Sequence, residues 1–339
     1  MFKYADVREV HLEISSRCNA SCPECPRNLR GGDVEDHGDY VVHDMSLSEA
    51  QQIFSREFLK QLRLITINGN YGDFIACRDG LKIVQYFAEA NPNIKIEIST
   101  NASGQPKIWS VLGAMPQISN IMFRLDGLRD THHLYRQYTD FDLIIRNAQQ
   151  FIAAGGHATW AMIKFDFNLH QIAEAEQMSK ELGFKRFELV DGGRDQTVVF
   201  TRDGVYSHTI GHPEPEIRNY QELLDMRDYF RSRDGHGEYY QSRVSAKKIV
   251  CQVEKSKSIY VQSNGQVYPC CWTGFHPDTN KLTAGMDQSR ALSKGTNYAL
   301  EVGIESAMQW FEYLAKTWQL DTVAQGRHYK CNTICGVND

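Results

Sequence analysis

Residues 8–25 read REVHLEISSRCNASCPEC, an apolar, β-branched run that breaks into three closely spaced cysteines. The run predicts a strand over 8–15, and the cysteines follow directly on its C-terminal end. Cys18, Cys22 and Cys25 stand at C-x3-C-x2-C. Three thiolates in eight residues can wrap three corners of a cubane iron–sulfur cluster, because thiolates are the soft ligands such clusters need. The fourth iron then stays open to a small chelating ligand. The other reading is a zinc loop completed by a histidine such as His11 or His37.

Outward from that strand, the first 190 residues alternate strand-like and helix-like segments. Further strands are predicted at 62–68 (LRLITIN), 94–99 (IKIEIS), 120–126 (NIMFRLD), 157–165 (HATWAMIKF) and 185–190 (KRFELV). Ser46 and Glu49 form a capping box before LSEAQQIFSREFLKQL. Helical patterns also cover 78–91 and 141–156, the latter stopping on glycine. Asn168 and Gln171 start another helix, which stops on Gly183. Six strands with intervening helices imply parallel βα units. Six are too few for a complete eight-strand barrel. The expectation is an α/β fold with a partial (β/α)6 TIM-like barrel over 1–190, its mouth at the C-terminal strand ends. A doubly wound sheet is the alternative.

Residues 191–250 turn polar, with one helix expected at 216–232; they read as a connector and possible substrate wall. A second, smaller α+β unit is expected over 251–339. SIYVQSNGQVYPCCW gives two short strands around an Asn-Gly turn at 264–265. An amphipathic helix at 303–318 and a tail with Cys331 and Cys335 follow.

Hydrophobic residues make up 42% of the 339 and charged residues 23%, ordinary for a globular chain. The net charge of −5 argues against a nucleic-acid surface. No apolar run is long enough to span a membrane, and the N-terminus carries no secretion signal. A cytoplasmic protein is expected. Nine cysteines in a reducing compartment point to metal or redox chemistry rather than disulfides.

CNASCPEC after the first strand resembles the radical SAM signature, and later strand ends extend the resemblance. NGNYGDF at 68–74 resembles the family's glycine-rich motif, which holds the methionyl amino group of S-adenosylmethionine; this implies Gly69, Asn70, Gly72 and Asp73 as cofactor residues. STNAS at 99–103 resembles the strand end that meets ribose and carboxylate, implying Ser99, Thr100 and Asn101. RLDGLRDTHHLYR at 124–136 resembles the SLDG…R segment, whose arginine, here Arg136, can pair with the cofactor carboxylate. Two positions depart from the family: Glu24 stands where an aromatic residue is frequent, and Phe74 where proline is usual.

Cys251, Gly265 and Cys270 stand at C-x13-G-x4-C, which resembles the opening of the SPASM and twitch domains. These carry auxiliary [4Fe–4S] clusters. Cys331 and Cys335 could supply the remaining ligands, and four cysteines favour the one-cluster twitch arrangement. A four-cysteine zinc site has the same ligand count. Cys271 could replace Cys270. Otherwise Cys271 and Cys77 are spare, as small buried hydrophobes, although Cys271 could also approach the cluster or substrate.

The resemblance implies an enzyme that takes one electron from a flavodoxin- or ferredoxin-type reductant and cleaves S-adenosylmethionine. The resulting 5′-deoxyadenosyl radical abstracts hydrogen from a peptide, a protein side chain or a small molecule. The auxiliary cluster accepts an electron from the substrate or orients it. Asp191 and Asp126, after the sixth and fourth strands, are candidates for the base; the other reading of each is a cap or turn carboxylate. His132 and His133 are expected near Arg136 without acting as ligands. Peptide-modifying members often carry an N-terminal leader-binding domain, and the seven residues before the first strand leave no room for one. A non-catalytic iron–sulfur or zinc protein that keeps the fold is the competing reading.

Overall fold

The computed structural model describes all residues except 33–41, 192–195, 213–216, 226–246, 275–283, 324 and 338–339. Six strands, β1 (Glu9–Leu12), β2 (Leu64–Ile67), β3 (Lys95–Thr100), β4 (Ile118–Arg124), β5 (Ala158–Ile163) and β6 (Arg186–Val190), pair side by side in chain order. Every one of these pairings is parallel. A doubly wound sheet would reverse its strand order at a switch point. The unbroken order instead gives the expected open, partial (β/α)6 barrel.

The helices between them are α1 (Leu47–Ile53), α2 (Arg56–Gln61), α3 (Gly80–Ala90), α4 (Trp109–Ala114), α5 (His132–Tyr135), α6 (Phe141–Ala153) and α7 (Ile172–Glu181). Ser46 caps α1 through the predicted capping box, its hydroxyl accepting from Glu49 N at 3.2 Å while its own N donates to Glu49 Oε2 at 2.7 Å. The single helix expected after it divides, because Ser55 caps a second start by accepting from Phe58 N. Period-2 alternation splits each strand between helix layer and barrel interior. Ile65, Ile67, Ile96, Ile98, Ile121 and Phe123 are buried in the layer beneath the helices. Each such side chain contributes roughly 1.5–3 kcal/mol on burial.

The connector holds an antiparallel pair, β7 (Thr197–Phe200) and β8 (Tyr206–Ile210). Of the helix expected at 216–232, residues 220–225 are helical, and most of the rest lies outside the described residues. Farther on come β9 (Lys248–Ile249), β10 (Ser258–Val261), β11 (Val267–Tyr268) and β12 (Gly336–Val337). The predicted hairpin forms β10 and β11, with Gly265 at φ 83° in its turn. Its position is new: β10 pairs in parallel with β1, from Glu9↔Ser258 to Leu12↔Val261. The barrel sheet thereby extends to eight strands, β11-β10-β1-β2-β3-β4-β5-β6. The amphipathic stretch at 303–318 is not one helix. Ala299–Ala307 is kinked at Gly303, where φ is 74°, and Phe311–Thr317 starts afresh after a turn.

Candidate active site

Alternation along β1 sends Val10, Leu12 and Ile14 into the core. His11 and Glu13 take the opposite face. Glu13 is buried and organises the loop after β2. Its Oε1 accepts from Tyr71 N at 2.8 Å and Gly72 N at 2.9 Å, and its Oε2 from Tyr260 Oη, on β10, at 2.7 Å. Burial raises its pKa, and these donors oppose that rise. A Cβ on Gly72 would stand 1.7 Å from Ser15 O, and one on Gly69 2.6 Å from Glu13 Oε1. Both glycines therefore admit the end of β1.

Asp73 joins that loop to the end of β3. It accepts from the Thr100 hydroxyl and, at 2.7 Å, from Asn101 N. Asn101 Nδ2 in turn donates to Cys18 Sγ at 3.5 Å, beside Ala20 N at 3.4 Å. Ser99 Oγ accepts from Arg124 Nε at 2.9 Å. The cysteine loop turns tightly, with Cys25 N donating to Cys22 O at 2.9 Å. Burial pushes the Cys18 thiol up to about 12 and raises Cys22 as well. Buried thiols resist ionisation in the absence of a compensating charge. Metal binding supplies that charge and releases the protons.

The β7–β8 hairpin covers this loop from outside. Val199 and Ile210 pack with Ala20 and Cys22. Phe200 N donates to Arg30 O at 2.9 Å, and the Arg30 side chain reaches Glu24 and Thr197. Arg202 Nε donates to Ser21 Oγ at 2.9 Å and its Nη2 to Asn19 O, while its guanidinium lies 4.1 Å over the Tyr138 ring.

These elements enclose a cavity of about 520 Å³ at the C-terminal ends of the strands. Cys18, Cys22 and Cys25 line it, as do Gly69, Asn70, Gly72 and Asp73 after β2. Ser99, Thr100, Asn101, Arg124 and Arg136 form its other walls, with Asp191 at the end of β6. The Asp191 side chain is 85% exposed and pairs with Lys164 Nζ at 2.5 Å. Asp126 does not line the cavity. It is fully buried, and its carboxylate accepts from Arg136 Nε at 2.5 Å and Ile163 N at 2.6 Å. Arg136 Nη1 points at Cys22 Sγ, 3.6 Å away. His132 is buried as well, its Nδ1 accepting from Asp126 N at 3.2 Å. His11 lines the cavity and bonds Asn68 O; His37 lies outside the described residues.

Cys251, Cys270, Cys331 and Cys335 line a second, smaller cavity of about 20 Å³. Burial pushes the Cys251 and Cys270 thiols up to about 11. The backbone turns between neighbours here, so that Cys271 lines the first cavity instead, and Trp272 lines both. Among the described residues no three His, Cys, Asp or Glu side chains stand close enough to share one metal ion. A cubane gives each thiolate its own iron, and three thiols on one cavity wall suit it in number and softness. Four thiols at the second cavity suit in donor type a four-thiolate zinc ion or a cubane.

Glu13, Tyr260, Arg124, Arg202 and Trp272 were absent from the sequence reading. For Glu13 a signal existed: a carboxylate alternating with Val10, Leu12 and Ile14 inside a strand faces the barrel interior. Tyr260 and Arg202 gave none, because their partners are remote in sequence.

No protein-family model matches the sequence, and no curated protein matches it. Among solved structures, the chain is similar to SuiB of Streptococcus suis, at 15% identity and a TM-score of 0.50, over 86% of this chain and 67% of SuiB. SuiB bound to the precursor peptide SuiA is matched with 15% identity and a TM-score of 0.50 over 81% of this chain and 62% of that one. Native anSMEcpe with bound AdoMet matches at 17% identity and a TM-score of 0.48, over 78% of this chain and 74% of that one. The chain thus spans about two thirds of SuiB's length. The likeness to SuiB shows the fold alone.

Proposed function

We propose that this chain is a radical SAM enzyme in which Cys18, Cys22 and Cys25 hold a [4Fe–4S] cluster and the adjoining strand ends hold S-adenosylmethionine. One observation carries the proposal. The three cysteines and all three strand-end motifs line a single cavity, although they come from four different strands. Active sites of barrel folds occupy this face.

Cluster and cofactor, bound together, would supply a 5′-deoxyadenosyl radical. The protein's own residues position and enclose them. Asp73 and Glu13 hold the Asn68–Asp73 loop against β1 and β3, so Gly69, Asn70 and Gly72 present a fixed backbone to the cofactor. Ser99, Thr100 and Asn101 close the opposite side. The β7–β8 hairpin keeps water from the cysteine loop. Asp191, at the mouth, would take a proton from the substrate, its carboxylate held by Lys164.

The substrate we favour is a peptide or protein side chain. The structure of SuiB with its precursor peptide supports this. Small-molecule substrates fit the same mouth. Cys251, Cys270, Cys331 and Cys335 would hold an auxiliary [4Fe–4S] cluster able to accept an electron, and a flavodoxin- or ferredoxin-type protein would supply the first one. The four thiols also suit, in donor type, one other reading of that site alone, a structural zinc ion.

Metal analysis of anaerobically purified protein tests both sites. Two clusters give about eight irons per chain; iron at half that level with one zinc marks the second site as structural. Incubation with S-adenosylmethionine and dithionite should then release 5′-deoxyadenosine. Zinc without iron, or iron-loaded protein that releases none, overturns the proposal.

A further inference from the structure

We infer that Arg136 sets the reduction potential of the first cluster through its contact with Cys22, and that Asp126 is the positioning residue that holds it there. The inference rests on the radical SAM reading given above. Arg136 reaches two groups at once: its Nε meets Asp126 Oδ2 at 2.5 Å, and its Nη1 lies 3.6 Å from Cys22 Sγ. The guanidinium is planar and rigid, so the first contact fixes the direction of the second. Asp126 cannot turn away. Ile163 N donates to its Oδ1 at 2.6 Å, and its own N donates to His132 Nδ1 at 3.2 Å. Arg136 N donates to His132 O at 2.9 Å, which fixes the backbone from the other side. The arginine side chain is 14% exposed and that of Asp126 not at all, so solvent screens the pair weakly.

A cluster in the 2+ state with three thiolates carries one net negative charge. One electron from the external reductant takes the core to 1+ and the net charge to two negatives, with no bond made or broken. A cation on a ligand sulfur stabilises the more negative form. Net charge and hydrogen bonds to the sulfurs are the protein's levers on such potentials. Asn101, which donates to Cys18, offers a hydrogen bond without a charge and serves as the internal comparison. A carboxylate buried against an arginine at a cavity wall suggests a proton acceptor. Here both of its oxygens are occupied, and its effect passes through the guanidinium.

The test is an EPR-monitored redox titration of the reconstituted full chain, with the second site as reference. Arg136→Gln should lower the midpoint potential of the first cluster at unchanged iron content, and Arg136→Lys should restore part of the fall. Asn101→Ser should move it less. Asp126→Asn discriminates by sign. Removing a negative charge alone would raise the potential, whereas release of the guanidinium from the sulfur lowers it, and a fall is expected. If Arg136→Gln fails to take up iron, the lysine and asparagine variants still decide. An unchanged potential in iron-loaded Arg136→Gln, or a rise in Asp126→Asn, overturns this inference alone. A wild-type chain that takes up no iron overturns it together with the proposed function.

Discussion

Gly72 is held to glycine by its neighbours rather than by a ligand. The resemblance placed it under the cofactor; the structure adds that any Cβ would strike Ser15 O. Gly72→Ala should therefore displace the loop from β1 at a cost of at least about 1–3 kcal/mol. The check is a fall in Tm together with weaker S-adenosylmethionine binding; an unchanged Tm would show that the loop has room. Glu13 was half legible, since its inward position follows from strand alternation. Its partner Tyr260 was not, because 247 residues separate the two and no local spacing records the pairing. His132 gives a pH prediction. Desolvation lowers its pKa to about 4 from an ordinary 6.5, so between those values the unfolded chain binds more protons than the folded one. Stability then rises with pH through that window and is fully present above it, for a contribution of about 3 kcal/mol at most. Glu13 and Asp73, whose pKa values burial raises, act in the opposite sense. The comparison must therefore be between the wild type and His132→Gln, whose denaturation midpoints should converge as pH falls toward 4. Parallel curves would show that His132 titrates alike in the folded and unfolded chain.

At the scale of elements, the six barrel strands were legible because each carries its own apolar run. The β7–β8 hairpin was not. TVVF is four residues inside a polar stretch, too short a run to assign by pattern, and yet all four are buried. Val199 packs on the cysteine loop, which the hairpin covers, and Val198 and Phe200 pack with Leu29 and Leu223. Helix boundaries failed for related reasons. The apolar spacing at 303–318 is helical on average, and it records neither the kink at Gly303 nor the turn at 308–310. Arg202 ties hairpin and loop together through Ser21 and Asn19. Arg202→Ala should leave the barrel folded while admitting water and oxygen to the loop. We expect faster bleaching of the iron–sulfur absorption in air and greater hydrogen exchange confined to residues near 18–25. Equal bleaching rates in variant and wild type would remove the hairpin from any protective role.

On the scale of the whole molecule, the second cysteine group is not set apart from the barrel, since β10 lies on β1 as a seventh parallel strand. The sequence showed the hairpin and its turn, but a parallel pairing across some 250 residues leaves no periodic trace. One chain segment thereby serves both cavities. Cys270 faces the four-thiol site, Cys271 the central cavity, and Trp272 both; Asn70 Nδ2 fastens this segment to the β2 loop by donating to Cys271 O at 3.1 Å. The four thiols join β10–β11 to the last helix, Tyr329–Ile334, so a metal there closes the C-terminal region onto the sheet. Binding free energy at such a site is folding free energy. Replacing Cys251 and Cys270 together by serine should remove the second site's metal, leave about four irons per chain, and lower Tm. Because the first site keeps all its ligands, slow release of 5′-deoxyadenosine should persist while turnover of substrate stops. Full metal content in the double variant would place the second site's ligands elsewhere. Unimpaired turnover with the metal gone would reduce that site to a brace for the sheet.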